Sequence, residues 1–182
     1  MNITKEYLAA AEADVKALSV INKNYWNEAR YQILKKFCAG AEKLLSVGCG
    51  PREPIILNAS HAVDISIQSY HLLKKNGWKG DFYCATSDGL PFADKFFDVV
   101  VCSEVIEHLP DLDIVRRTFL EVNRIAKRWI ITTPNSAICI PKHQNPAHRQ
   151  FFNPDSIKEV IPFDVKLYTN DHHIYMESPA SE

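Results

Sequence analysis

The sequence predicts an α/β fold built on a doubly wound, mostly parallel seven-stranded sheet with an antiparallel edge strand and helices on both faces. Apolar runs alternate with helical stretches from Lys43 onward. Continuous apolar runs such as Val99–Val101 need cover on both faces of a sheet, which favours parallel strands. A glycine turn also follows the first strand directly. The 182 residues suit one domain, with amino-terminal helices over 1–40 and the sheet-forming core over 41–182.

The elements follow from the periodicity of apolar residues. Strands are predicted at 44–47, 62–65, 82–85, 97–102, 129–133, 165–168 and 174–177. Helices are predicted at 4–20, 24–39, 52–60, 66–76, 111–127 and 154–161. The helix at 24–39 packs its apolar stripe on the sheet, with Tyr25 and Arg30 near enough to reach a ligand. Asn170-Asp171 predicts an antiparallel turn between the last two strands.

The composition excludes several classes of protein. Lys and Arg total 21 against 22 Asp and Glu, so net charge supplies no attraction to nucleic acid or to an anionic membrane. The five cysteines are odd in number and lie far apart, which is typical of reduced, buried thiols. Glu6, Glu12 and Asp14 interrupt the start, which argues against a signal peptide. We therefore expect a cytoplasmic protein without membrane insertion.

The stretch from Lys43 to Pro54 predicts a small-molecule cradle. Gly48 and Gly50 follow the first strand, where they allow a sharp turn and the close approach of a ligand. Asp64 ends the second strand 16 residues after Gly48, near the spacing of about 20 for an acid that binds ribose hydroxyls. A dinucleotide would require a third glycine where Glu53 stands. A ligand with a ribose and no phosphates, such as S-adenosylmethionine, fits better.

Four motifs make the ligand more specific. They are V-G-C-G-P from 47, A-V-D-I-S from 62, L-P-F-x-D-x-x-F-D-V-V-V-x-S-E-V-I-E-H-L from 90 and I-T-T-P-N from 131. Together they resemble the class I S-adenosylmethionine-dependent methyltransferases, especially the small type 11 branch related to ubiquinone and menaquinone biosynthesis enzymes. The similarity covers roughly residues 26–152 and implies a Rossmann-like sheet.

The resemblance implies the cofactor contacts. They are Gly48, Cys49 and Gly50 at the methionine end, Asp64 at the ribose, Ile65 on the adenine, Thr86, Ser87 and Asp88 at the adenine edge, and Cys102, Ser103 and Glu104 on the sulfonium side. Simple core packing is the alternative for Cys102. Ser46 replaces the acid usual on the first strand, Arg52 replaces a glycine of the family's turn, and Thr86 replaces a frequent Asp. These departures predict a weaker cofactor site than the family average.

Methyl transfer requires an in-line approach, and it requires a base only if the nucleophile arrives protonated. The candidate bases are His108, His143 and His148. His148 is favoured for catalysis because P-A-H-R-Q-F-F-N-P-D resembles the family segment that borders the acceptor pocket. A loop histidine can also serve packing alone. We expect the amino-terminal helices and residues 132–152 to select the acceptor.

A second pattern concerns a metal. If a helix begins after Ser103, then Glu104, Glu107 and His108 share one face, where His148 could complete a divalent-metal site. The small-RNA 3'-terminal 2'-O-methyltransferases resemble the sequence here. Non-metal relatives carry similar segments, however, and RNA binding favours a basic groove with stacking aromatics. We therefore expect neither a divalent metal nor a nucleic acid partner.

The predicted function is S-adenosylmethionine-dependent methyl transfer to a small-molecule O, N or C nucleophile, with S-adenosylhomocysteine as the product. One alternative is a non-catalytic, cofactor-binding partner protein, which the departures at Ser46, Arg52 and Thr86 motivate. The other is a metal-dependent RNA 2'-O-methyltransferase. The motifs specify the donor and leave the acceptor and the oligomeric state open.

Overall fold

A computed structural model describes residues 5–17, 29–138, 147–170 and 172–179. Seven strands in these residues form one sheet: Leu44–Val47 (β1), His61–Asp64 (β2), Asp81–Cys84 (β3), Phe97–Ser103 (β4), Ala126–Pro134 (β5), Lys166–Thr169 (β6) and His173–Glu177 (β7). The helices are Lys5–Ala17 (α1), Ala29–Cys38 (α2), Glu53–Leu57 (α3), Ile67–Lys75 (α4) and Leu112–Ile125 (α5), with a 3₁₀ turn at Ile106–His108.

The strand order is β3-β2-β1-β4-β5-β7-β6. Strands β1 to β5 pair in parallel, whereas β7 runs antiparallel to both β5 and β6. The antiparallel pair therefore occupies one edge of the sheet, as predicted. The Asn170 side chain stabilises the turn between β6 and β7, because its Oδ1 accepts the backbone N–H of His173 at 2.9 Å.

The core has two layers because successive residues of β1 face opposite sides of the sheet. Leu45 and Val47 pack in the cluster that includes the apolar face of α5. Leu44 packs instead with residues of α2 and α3. Val99, Val100 and Val101 of β4 are all fully buried, which confirms that this continuous apolar run is covered on both faces.

One predicted helix is wrong. Residues 154–160 form successive turns instead of a helix. Their hydrogen bonds mix i→i+3 spacing with i→i+4 spacing, and Pro162 disfavours a helical conformation at Ile161. The hypothesis of a metal site also required a helix directly after Ser103. That helix is absent, because Glu104 adopts a left-handed φ of 57° and the short 3₁₀ turn follows it.

The prediction that the cysteines are reduced, buried thiols is confirmed for three of the four described cysteines. Cys38, Cys49 and Cys102 are buried and free, while Cys84 is exposed on the edge strand β3. Cys139 lies outside the described residues, as does Tyr25. Within the described ranges we find no helix that combines the length and the apolar character needed to cross a membrane. The cytoplasmic location stays a prediction.

Candidate active site

A cavity of about 850 Å³, including the solvent at its mouth, lies at the carboxyl ends of β1 to β4. The chain crosses from one side of β1 to the other between β3 and β4, so the cavity sits at the position where open α/β sheets bind ligands. Its walls are formed by Tyr7, Ala10, Ala11, Val15, Gly48, Gly50, Asp64, Ile65, Ala85, Thr86, Ser87, Glu104, Val105, His108, Leu109, Ala147 and Arg149.

The turn after β1 requires glycine for two reasons. Gly48 and Gly50 have φ values of 62° and 53°, in the region that side chains disfavour. A Cβ added to Gly48 would also lie 2.4 Å from Cγ2 of the neighbouring Val105, which lines the cavity as well. The turn therefore brings bare backbone to the cavity.

Asp64 ties the end of β2 to this turn. Its Oδ2 accepts the Gly50 N–H at 2.8 Å, and its Oδ1 accepts the Ser66 N–H at 2.8 Å. Burial raises the pKa of the Asp64 carboxyl, while the two N–H groups act in the opposite direction. A carboxylate offers about four lone-pair sites, and the Gly50 N–H, the Ser66 N–H and the Cys49 thiol leave capacity to accept a ribose hydroxyl. The carboxylate beside a glycine cradle thus fits the nucleoside part of the expected cofactor.

Glu104 supplies a second carboxylate to the cavity wall, from a strained position immediately after β4. Its Oε1 accepts the Thr132 hydroxyl at 3.0 Å and lies 3.8 Å from the Arg30 guanidinium. Its Oε2 lies 3.5 Å from Nε2 of His173. Burial by itself would raise the pKa of Glu104, but His173 and Arg30 hold it below its ordinary value. A left-handed glutamate held by three partners is typical of a functional position.

A third carboxylate lies behind the glycine turn. Ser46 is fully buried and donates its hydroxyl hydrogen to Oε1 of Glu53 at 2.7 Å. Glu53 is only 5% exposed and is not among the residues that line the cavity. Burial raises the pKa of Glu53 to about 7, although Arg30 and Ser46 both lower it. The side chain therefore turns inward to β1 and does not face the space that a phosphate would occupy.

Two histidines meet beside the cavity. The rings of His108 and His148 are 4.7 Å apart and almost perpendicular, and one ligand atom from each lies within 4.8 Å of a carboxylate oxygen of Glu107. The Glu107 carbonyl accepts the backbone N–H of Arg149 at 2.7 Å and that of Gln150 at 2.9 Å. These bonds attach the segment that carries His148 to the 3₁₀ turn.

The known proteins that this chain resembles include methyltransferases. The profile of a methyltransferase domain family matches residues 45–129. The ubiquinone biosynthesis O-methyltransferase of Rhizobium johnstonii is 29% identical over 103 residues, an alignment that spans 51% of this chain and 41% of the relative. The residues that the family profile matches include the glycine turn, Asp64 and the block that ends at Leu109.

The residues that the family profile matches make up slightly less than half of the chain, and this stretch is similar to that methyltransferase domain family.

Solved methyltransferases share the fold. A possible histamine N-methyltransferase of Thermotoga maritima superposes with a TM-score of 0.68 at 15% identity, over 82% of this chain and 86% of the other. The N-methyltransferase NodS of Bradyrhizobium japonicum, solved with S-adenosylhomocysteine, gives 0.67 at 12% identity, over 92% and 97%. The methyltransferase domain of bacterial CtHen1 gives 0.64 at 16% identity, over 84% and 98%.

Seven of the eleven predicted cofactor residues line the cavity: Gly48, Gly50, Asp64, Ile65, Thr86, Ser87 and Glu104. The other four do not line it. The thiol of Cys49 lies 3.9 Å from Oδ2 of Asp64, and Cys102 packs in the core. Asp88 forms an ion pair with Arg117 at 3.2 Å. Ser103 accepts a hydrogen bond from Arg30 at 2.9 Å. The cofactor roles of all eleven stay predictions.

Three of the four candidate metal ligands lie close together in the structure. Glu107, His108 and His148 come together, but Glu104 points instead to Thr132 and Arg30, because no helix places it on their face. His143 lies outside the described residues.

The sequence predicted that the amino-terminal helices help to select the acceptor, but it identified no individual residue of α1 at the site. Tyr7, Ala10, Ala11 and Val15 line the cavity, and their spacing of three, four and eight residues marks one helical face. Burial raises the pKa of Tyr7 to about 12, although Arg149 acts in the opposite direction. The Arg149 guanidinium lies 5.6 Å from the centre of the Tyr7 ring. The small residues Ala10 and Ala11 were the available signal for a face that leaves space for a ligand.

Proposed function

We propose that this protein transfers a methyl group from S-adenosylmethionine to a small-molecule nucleophile and releases S-adenosylhomocysteine. The observation that carries the proposal is the bond between Gly50 and Asp64, which joins the glycine turn to the acid at the end of β2 on one cavity wall. A phosphate-free nucleoside meets both a hydroxyl acceptor and bare backbone there.

The donor would lie across the carboxyl ends of the strands. Asp64 accepts hydrogen bonds from the ribose, Ile65 packs on the adenine, and Thr86 and Ser87 border the adenine edge. Glu104 holds its negative charge on the same cavity wall, which favours a cationic ligand. When bound, the cofactor supplies an electrophilic methyl group on a sulfonium. Positioning by rigid strand ends then supplies much of the rate enhancement.

The acceptor would enter between α1 and the segment from Ala147 to Arg149, which line the remaining wall. The relative from Rhizobium johnstonii is an O-methyltransferase, and the structural neighbours include the N-methyltransferase NodS and a possible histamine N-methyltransferase, which supports an oxygen or nitrogen nucleophile. His108 lines the cavity and contacts the His148 ring, which supports a role for this pair in removing a proton from a protonated nucleophile.

Titration with S-adenosylmethionine tests the donor site. We expect the wild-type protein to bind the cofactor and Asp64→Ala to weaken binding by roughly tenfold or more, since a buried charged acceptor is lost. Asp81→Ala is the matched control, because Asp81 lies at the opposite end of the neighbouring strand β3. Absence of wild-type binding at millimolar cofactor, or equal affinity of the Asp64 variant, would refute the proposal.

A chelator distinguishes base catalysis from metal binding as the role of Glu107, His108 and His148. We propose base catalysis without a metal, so activity and donor binding should persist in excess EDTA, while His148→Asn lowers the rate. Glu107, His108 and His148 together offer two nitrogens and one oxygen, a donor set that zinc or manganese also accepts. Loss of activity in EDTA with recovery on adding manganese or zinc would replace the base with a metal.

Of the two alternatives, a non-catalytic partner predicts cofactor binding without turnover, and an RNA 2'-O-methyltransferase predicts metal dependence. The comparisons favour neither. Release of S-adenosylhomocysteine across a panel of small phenols, amines and carboxylates distinguishes the proposed enzyme from both.

A further inference from the structure

We propose that Glu53 is a positioning residue for the amino-acid end of S-adenosylmethionine and supplies from α3 the carboxylate that β1 lacks. This inference rests on the proposed function. It concerns how the chain compensates for Ser46, which stands where related methyltransferases usually carry an acid.

The geometry places Glu53 directly behind the cofactor turn. Ser46 lies two residues before Gly48 and faces the layer of α2 and α3, while Glu53 is the first residue of α3. The 2.7 Å hydrogen bond between their side chains therefore joins the two ends of the turn at its base. A carboxylate that α3 contributes thus reaches the site on β1 where an aspartate or glutamate side chain would begin.

The charges around this bond leave an excess of negative charge. Arg30 of α2 is the cation that acts on Glu53, but its guanidinium also lies 3.8 Å from Glu104 and donates to Ser103. Burial raises the pKa of the Cys38, Cys49 and Cys102 thiols, and the charge of Glu53 adds to each shift. The Arg30 guanidinium thus acts on Glu53, Glu104 and Glu107, while His173 is a second partner for Glu104 alone. The ammonium and the sulfonium of the cofactor supply the positive charge that balances Glu53 and Glu104.

A panel of three ligands distinguishes this electrostatic role from a structural one. S-adenosylmethionine and S-adenosylhomocysteine both carry the amino-acid end, whereas 5'-methylthioadenosine carries only the nucleoside and the thioether. Glu53→Gln keeps the size and the acceptor atom for Ser46 but removes the charge. We expect it to weaken the first two ligands by roughly tenfold and 5'-methylthioadenosine by less than about twofold. Calorimetric titration of the ligand-free protein measures all three.

A relocation variant and a charge control complete the experiment. Ser46→Asp with Glu53→Ala moves the carboxylate back to β1 and shortens the Glu53 side chain to a methyl group. We expect it to restore the affinity for S-adenosylhomocysteine to within about threefold of wild type. Asp98→Asn removes an acid at the amino end of β4, opposite the cavity, and should leave all three affinities unchanged.

The inference fails if Glu53→Gln binds S-adenosylhomocysteine within twofold of wild type, or loses 5'-methylthioadenosine to the same extent. If Glu53→Gln does not fold, as judged by thermal unfolding, the relocation variant decides. Equal affinity of that variant for S-adenosylhomocysteine and 5'-methylthioadenosine overturns the role. Absence of wild-type binding to all three ligands would instead refute the proposed function, and this inference with it.

Discussion

Glu53→Gln should make the ligand-free protein more stable at pH 8, although it removes a charged side chain. Burial raises the pKa of Glu53 from 4.5 to about 7 in the folded state. Between these values the unfolded chain is ionised and the folded protein keeps the proton, so unfolding releases a proton and stability falls as the pH rises. At about 1.4 kcal/mol for each pH unit, the ionised carboxylate costs roughly 3 kcal/mol above pH 7.

The glutamine variant does not carry this cost. Its side-chain oxygen can still accept the hydroxyl hydrogen of Ser46, so the hydrogen bond that closes the turn remains. We expect the difference in unfolding free energy between variant and wild type to be roughly 2 to 3 kcal/mol larger at pH 8 than at pH 5, in favour of the variant. Urea unfolding of both proteins at the two pH values measures it.

Comparing the two proteins at each pH cancels the titration of shared groups that do not interact with Glu53. Glu104 is an exception, because its charge raises the pKa of Glu53, so its titration forms part of the measured difference. A difference that does not change with pH would refute the reasoning, as would a glutamine variant that is less stable at pH 8. Saturating S-adenosylmethionine should reduce the advantage of the variant at pH 8, because the bound cation stabilises the ionised carboxylate.

Three further predictions concern the scaffold. Gly48→Ala should lower the unfolding free energy by roughly 2 to 4 kcal/mol, because the alanine is strained at a left-handed φ and its Cβ clashes with Val105. Adding Val105→Ala to this variant should recover part of the loss. An unchanged urea midpoint for Gly48→Ala would contradict the prediction. Asp111→Ala should cost about 1 kcal/mol in urea unfolding, because Asp111 caps α5 by accepting the Ile114 N–H at 2.8 Å; a change near zero would contradict the cap. Iodoacetamide should label Cys84 before the three buried thiols, as peptide mass spectrometry would detect, and faster labelling of a buried thiol would contradict their burial.

The sequence by itself determined the sheet and the position of the glycine turn. β1 was predicted at its observed bounds, and the glycine turn and Asp64 were placed at the ends of neighbouring strands. Such features depend on residues close along the chain: apolar runs specify buried strands, and glycines specify turns with positive φ. The same local signals failed at residues 154–160, where helical periodicity was present but the hydrogen bonds formed turns.

Only the tertiary structure decided the electrostatics of the site. Glu53 appeared in the sequence as an obstacle to phosphates, and the fold turned it inward to Ser46. Glu104 does not lie on the helical face that the metal hypothesis required, whereas His148 contacts His108, which precedes it by forty residues. The pKa of a carboxylate and the partners of a loop side chain depend on burial and on distances between elements far apart in the chain. Neither quantity is contained in local periodicity, so both had to come from the packed structure.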